Sequence, residues 1–407
     1  MSSVMDMLSL YHLMDDEVLA NPYPLYHRLR TEAPVHWDPF LSAWIVTRYD
    51  DIVHVLHRYS AERTPSPGQM SAMGLGVLSP VASVLMKQML FMDAPAHTRL
   101  RTIAASVFTP ARIEILRSHI QGIVDQLIDK VDNNGRMDVI ADLAFPLPAI
   151  VTAEMIGVPP EDRDLLKGWS DDFAEVLGNF QHNPDRLTAA VASVEGLTAY
   201  FRSRIEHSGM QLRRGLVQSL LSAEVNGEKL TVDEVVANSI LTMVGGQETT
   251  TNLIGNGMLT LLRNPDQMQQ LIDNPSLIPS AIEEMLRYES PSQHTARLAP
   301  EDTELGGQTI RRRQAVIAVL GAGNRDPERF PDPDRFDVAR GDRRHLAFGW
   351  AAHFCFGATL ARLEAQVALE TTIRRLRDIR LEPSPLRWRH NLGLRGLRAL
   401  AVRFGTR

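Results

Sequence analysis

The chain has 407 residues, a formal net charge of −6 and 44% hydrophobic residues. That length and apolar content are ample for a packed core, and the mild acidity argues against nucleic acid as a partner. A single cysteine excludes an intrachain disulfide and a multi-thiolate zinc site. No run approaches the ~20 apolar residues of a membrane span, so no membrane partner is expected either.

From Met1 to Asp16 there is no basic stretch followed by a long apolar run, so no signal peptide is expected and the location expected is cytoplasmic. A short helix is predicted over Pro24 to Thr31 and a strand over Ala43 to Thr47. Residues 62 to 90 are rich in Pro, Gly, Ser and Met and read as an irregular loop. From Ala96 to about Arg377 helical periodicity dominates, with breaks at Gly157-Val158-Pro159-Pro160, Asn183-Pro184, Asn264-Pro265 and Asn274-Pro275. Residues 296 to 320 are the exception and read as short strands around Gly306-Gly307, and the end from Trp388 to Arg403 reads as strand and turn. There is no linker, internal repeat or low-complexity tract. The expectation is therefore a mainly α fold with small peripheral β-sheets and a single domain over 1–407.

One helix is specified in detail. Thr231 and Glu234 form a capping box, and Asn264-Pro265 stops the apolar pattern about 30 residues later, a span of ~45 Å. Its middle reads Gly245-Gly246-Gln247-Glu248-Thr249-Thr250. Glycines inside a helix cost roughly 1 kcal/mol each against alanine. Close helix packing would explain the pair alone; an acid and hydroxyls directly after it predict a local opening of the helix beside a ligand.

The cysteine lies in Phe348-Gly349-Trp350-Ala351-Ala352-His353-Phe354-Cys355-Phe356-Gly357, just before an amphipathic stretch. A lone cysteine is usually an inert core residue. Here it precedes a helix N-terminus, where free N–H groups and the positive end of the dipole stabilise a thiolate. Small neighbours let a flat ligand approach the backbone. This is a setting for a permanent thiolate ligand to a metal.

The run resembles the heme-ligand loop of the cytochrome P450 family, F-G-x-G-x-H-x-C-x-G. Phe348, Gly349, His353, Cys355 and Gly357 match, while Ala351 stands where the family usually has glycine, which would strain the loop or shift the heme. The resemblance extends in family order from about Asn21 to Gly405. It implies the cytochrome P450 fold, heme b as cofactor and Cys355 as iron ligand, with Phe348, Gly349 and Gly357 shaping the cofactor-binding loop. The glycine-rich run of the long helix resembles the family's oxygen-activation motif, which implies Thr249 and Glu248 as the alcohol and acid that deliver protons to dioxygen. Glu284-Met285-Leu286-Arg287 resembles the family's E-x-x-R, and Arg335 in Pro333-Asp334-Arg335-Phe336 is its implied third member, a structural triad. By the same matches His97, Arg101, Arg297 and His345 bind the heme propionates.

By analogy with the family, the substrate pocket draws on Met86, Met89, Phe173, Leu177, Phe180, Met243, Val244, Gly245, Gln293, His294, Thr295 and Leu392. Core packing is about as good an explanation for each of these singly, although a methionine-rich lining suits a bulky lipophilic molecule. Arg340, Arg343, Arg344 and Arg362, with Arg99 and Lys87, suggest a basic patch for an acidic ferredoxin, since the chain has no flavin or iron–sulfur segment of its own. The resemblance thus implies a bacterial-type monooxygenase. It would use O2 and two electrons from ferredoxin and ferredoxin reductase to hydroxylate or epoxidise a lipophilic small molecule such as a polyketide, macrolide or terpenoid. The rivals are an H2O2-using peroxygenase, which could dispense with Glu248 and Thr249, and a non-catalytic heme sensor or carrier.

Overall fold

The computed structural model describes residues 8–178, 184–207 and 216–405. Its main helices are α1 (Tyr23–Glu32), α2 (Tyr49–Arg58), α3 (Ala96–Val107), α4 (Arg117–Asp129), α5 (Pro146–Ile156), α6 (Arg163–Gly178), α7 (Pro184–His207), α8 (Val232–Arg263), α9 (Ile278–Tyr288) and α10 (Ala358–Arg375). The strands used below are β1 (Val35–Asp38), β2 (Ala43–Val46), β3 (Arg136–Asp138), β4 (Thr295–Leu298), β5 (Ala315–Ala318), β6 (Arg377–Leu381) and β7 (Ala401–Gly405). Helix dominates, with small sheets, as the periodicity predicts. Residues 62 to 90 are more ordered than expected, with helices at Pro67–Ala72 and Ser79–Leu85. The first of these begins at a capping box between Ser66 and Gln69. Its Ser-Pro-Gly-Gln signature is visible in the sequence but is masked there by the Gly and Pro content.

Backbone proximity divides the chain into two compact units. The first comprises 1–59, 116–147 and 249–407. Its larger sheet runs β1-β2-β5-β4, antiparallel except for the β2/β5 pair. Ile52, Val55 and Leu56 of α2 pack with Val35, Val46, Val316, Phe330 and Leu346 into one apolar cluster, which ties the sheet to the segment leading into the cysteine loop. A second antiparallel sheet runs β6-β7-β3. Next to it α4 and α10 are joined by Gln121 Nε2 donating to Thr371 Oγ1 (2.9 Å) and by Arg375 bridging Asp125, Asp129 and Asp132.

The second unit comprises 60–115 and 148–248. Helices α6 and α7 pack closely: a Cβ on Gly196 would meet the Trp169 ring at 2.7 Å. The pair is also cross-linked by Tyr200 and Arg204 to Asp162, at 2.7 Å each. Lys87 and Arg202 both pair with Asp233, and Arg99 pairs with Glu234 and Glu228. Lys87 and Arg99, expected in a basic patch, are thus neutralised locally.

Helix α8 contributes its first half to this unit and its second half to the first. The capping box is formed: Glu234 N–H donates to Thr231 Oγ1 (3.2 Å) and Thr231 N–H to Glu234 Oε2 (2.8 Å). The helix then runs unbroken for 32 residues, about 48 Å. The expected opening at Gly245-Gly246 is not formed, and packing accounts for one of the two glycines. A Cβ on Gly246 would lie 2.9 Å from Thr152 Oγ1 on α5, whereas one on Gly245 would meet nothing within 4 Å.

Candidate active site

The chemistry-bearing residues fall on three elements: the middle of α8, the loop before α10, and strand β4 with its flanks. On α8, burial reports which face is open. Leu241, Thr242, Gly245, Gly246 and Thr249 are accessible while Met243, Val244, Gln247, Glu248 and Thr250 are buried. Leu241, Gly245 and Thr249 follow each other at i, i+4, i+8, so they share one face. Thr249 therefore stands on an open glycine face, with Glu248 turned into the protein behind it. Met243 and Val244, expected in the pocket, are core residues instead. Leu241 and Thr242 share that accessible face, and counting back in fours from Thr249 reaches Leu241.

The cysteine loop is held by its own backbone. Cys355 N–H donates to the Phe348 carbonyl (2.8 Å) and Gly349 N–H to the Leu346 carbonyl (2.8 Å). Gly349 and Ala351 both have positive φ, 70° and 56°. Ala351 thus occupies the left-handed region where an L side chain costs roughly 1–2 kcal/mol, so its methyl group does strain the loop. Cys355 is half-buried and free of disulfide. Gly357 is the N-cap of α10, and a Cβ there would meet nothing within 4 Å. Ala351, Ala352 and Phe354 are exposed on the outer side of the loop.

Arg297 on β4 is buried; its Nη1 donates to Thr295 Oγ1 (3.2 Å) and to the Ala296 carbonyl (2.8 Å). These two bonds hold the guanidinium against its own strand. In the second unit, His97 is buried on α3 with Arg101 half-buried one turn on. His345 does not match its expected role as a propionate contact. Its Nδ1 accepts the Ala347 N–H (3.3 Å) and its Nε2 faces Glu283 Oε2 (3.2 Å), so both ring nitrogens are engaged.

The expected triad is also corrected. Glu284 is fully buried and takes Arg287 through two bonds, 2.7 and 2.8 Å. The third cation is Arg340, whose Nε lies 3.1 Å from Glu284 Oε1. The Arg335 side chain is 67% exposed, against 13% for Arg340. Arg335 contributes only its carbonyl, which accepts from both Arg287 and Arg340.

Among the remaining pocket expectations, Gln293 is committed to scaffold. Its Oε1 accepts the Tyr26 hydroxyl (3.0 Å) and its Nε2 donates to the Ser290 carbonyl (2.7 Å). Phe173, Met89 and Leu392 are buried, and the Met89 N–H donates to Asn238 Oδ1 (2.9 Å). Met86 is exposed at the end of its helix and Thr295 is half-buried. Burial holds His294 down at about 4, so it is a neutral imidazole at ordinary pH. The Leu177 side chain and Phe180 lie outside the described residues.

These residues fit a heme. A lone protein thiolate holds iron where the cofactor brings the other ligands. The open side of Gly357 leaves room for a flat ring, and the buried Arg297 offers a cation for a carboxylate.

Comparison with known proteins agrees. Residues 43–385 match the family profile described as "Cytochrome P450". A "Biotin biosynthesis cytochrome P450" of Bacillus subtilis strain 168 is 39% identical over 392 residues, covering 95% of this chain and 97% of that protein. The "Cytochrome P450 monooxygenase PikC" of Streptomyces venezuelae is 39% identical over 402 residues, covering 96% and 93%. Among solved structures, P450BioI in complex with an acyl carrier protein bearing hexadec-9Z-enoic acid aligns with a TM-score of 0.90 at 38% identity, over 96% of this chain and 99% of that one. Among the described residues no helix is long and apolar enough to cross a membrane. The chain belongs to the cytochrome P450 family, heme-thiolate monooxygenases whose cofactor is heme b.

Proposed function

We propose that the whole chain works as one monooxygenase domain that hydroxylates or epoxidises a lipophilic small molecule with O2 and two electrons from a ferredoxin and its reductase. The observation that carries this reading is the loop at Cys355, wound back on Phe348 and delivering the cysteine two residues before the N-cap of α10. Heme bound there supplies the reduction of O2 and the insertion of one oxygen atom into substrate.

The protein's own groups do the rest. Cys355 is held as thiolate by the end of α10. Thr249 Oγ1, on the open face of α8, holds an ordered water beside the oxygen site. Glu248, buried behind it, passes protons from solvent toward that hydroxyl. Leu241, Thr242 and Gly245 on the same face meet the substrate. Arg297, His97 and Arg101 take the propionates. The retained Glu248-Thr249 pair favours the O2-dependent reaction over a peroxygenase.

For the substrate, the hexadec-9Z-enoic acid carried by the acyl carrier protein of the solved neighbour supports a long lipophilic molecule of the acyl class.

The test is the absorption spectrum of the dithionite-reduced protein with and without carbon monoxide. A strongly red-shifted Soret band, lost in Cys355→Ser, is expected. A band at the shorter wavelength of a protonated thiol or histidine ligand would overturn the heme-thiolate reading in favour of a non-catalytic heme protein.

A further inference from the structure

Adjacent carboxylates on α9 serve different partners. Glu284 is committed to Arg287 and Arg340. Glu283, about 100° further round the helix, faces the cysteine loop. It accepts two bonds from Arg362, from Nε at 2.7 Å and from Nη2 at 2.8 Å, and its Oε2 meets His345 Nε2 at 3.2 Å.

Each partner leads to the loop. Arg362 belongs to α10, and its guanidinium lies over the Phe348 ring, 4.6 Å from the centroid. The Phe348 carbonyl is the acceptor for the Cys355 N–H. His345 enters the loop from the other side, its Nδ1 accepting the Ala347 N–H, which leaves the ring proton on Nε2 pointing at Glu283. The three groups belong to α9, α10 and the segment before Phe348, all in the first unit. The Arg362 guanidinium and the hydrogen bond from the His345 ring hold Glu283 well below the ordinary carboxylate range despite its burial, at about 2, so it is ionised at any working pH.

We propose that Glu283 is the positioning residue of the cysteine loop: it locks the His345 proton on Nε2 and balances the charge of Arg362 against the Phe348 ring. The inference rests on the heme-thiolate reading above and deepens it. A positive charge beside a thiolate-bound heme favours the reduced, more negative state, and a negative charge opposes it. Glu283 and Arg362 are in contact, so their effects on the heme should be opposite in sign and should cancel when both are removed. General loosening of the loop would instead move both single variants the same way.

The experiment uses the holoenzyme and the variants Glu283→Gln, Arg362→Gln and the double variant. The readouts are midpoint reduction potential and the reduced carbon monoxide spectrum, with unfolding as a control. The expected result is a rise in potential for Glu283→Gln, a fall for Arg362→Gln, and a return toward wild type in the double variant. Single variants that keep the red-shifted band but shift together, or not at all, overturn the proposal. Where Glu283→Gln does not fold, Arg362→Gln alone decides, an unchanged potential counting against it.

A wild-type protein without the red-shifted band would defeat the parent reading instead, and a second arm stands apart from heme. In 15N-histidine-labelled apoprotein, His345 is expected as the Nε2–H tautomer, losing that preference in Glu283→Gln. A mixed tautomer in the wild type overturns the proposal on its own.

Discussion

Arg340 and Arg335 are five positions apart in one irregular segment and have opposite fates. Without Arg340, Glu284 keeps its two bonds from Arg287 and loses one charge-assisted hydrogen bond in a buried site, worth about 1.5–3 kcal/mol. Arg340→Ala is therefore expected to lower stability by roughly that amount, read as the urea midpoint for loss of the heme absorption. Arg335→Ala removes only an exposed side chain and leaves its carbonyl in place, so a change of less than about 0.5 kcal/mol is expected. Equal effects would mean that Glu284 does not rely on Arg340. Nothing local distinguishes the two arginines, because both sit in polar, proline-rich chain without periodicity. The glycine-like backbone at Ala351 is the contrary case. A motif position usually held by glycine already announces positive φ, and the structure has it.

Helix α8 is the element on which the sequence reads best and also misleads. Its start is set by a side chain three residues from its backbone partner and its end by a proline, so both boundaries are legible. The paired glycines are not, because an unbroken helix beside a threonine and an opened helix beside a ligand use the same residues. The two positions should now separate by substitution. Gly245→Ala adds a methyl group where nothing lies within 4 Å, so it should raise stability by up to about 1 kcal/mol while reducing the substrate-induced spin shift. Gly246→Ala drives its Cβ to 2.9 Å from the stiff Thr152 side chain, and overpacking of ~1–3 kcal/mol outweighs the gain in helix propensity. Thermal unfolding of both variants checks the pair, and a stabilised Gly246→Ala would mean that α5 yields to α8.

For the molecule as a whole the cations matter most. Lys87, Arg99, Arg340 and Arg362 are neutralised by carboxylates. Arg343 and Arg344 are the exposed pair beside the cysteine loop, and Asp342 is shared between Arg344 and Arg329. The proposed ferredoxin contact therefore narrows to that pair. Arg343→Glu with Arg344→Glu should slow first-electron reduction by an acidic ferredoxin roughly tenfold at low ionic strength and flatten its salt dependence. Stopped-flow reduction measures this, and an unchanged rate with unchanged salt dependence would remove the loop's outer face from electron entry. By itself the sequence determined the helical class, the order of the motifs, the single thiol available to a metal and the caps of the long helix. Each of these rests on residues within one or two turns of each other, or on a residue type that occurs once. Tertiary structure alone decided that Arg340 completes the triad, that His345 answers to Glu283, that Gln293 is bound to Tyr26, and which face of α8 is open. Those choices are made when buried charges and amides must find partners tens to hundreds of residues away, and the cost of leaving them unpaired selects the partner.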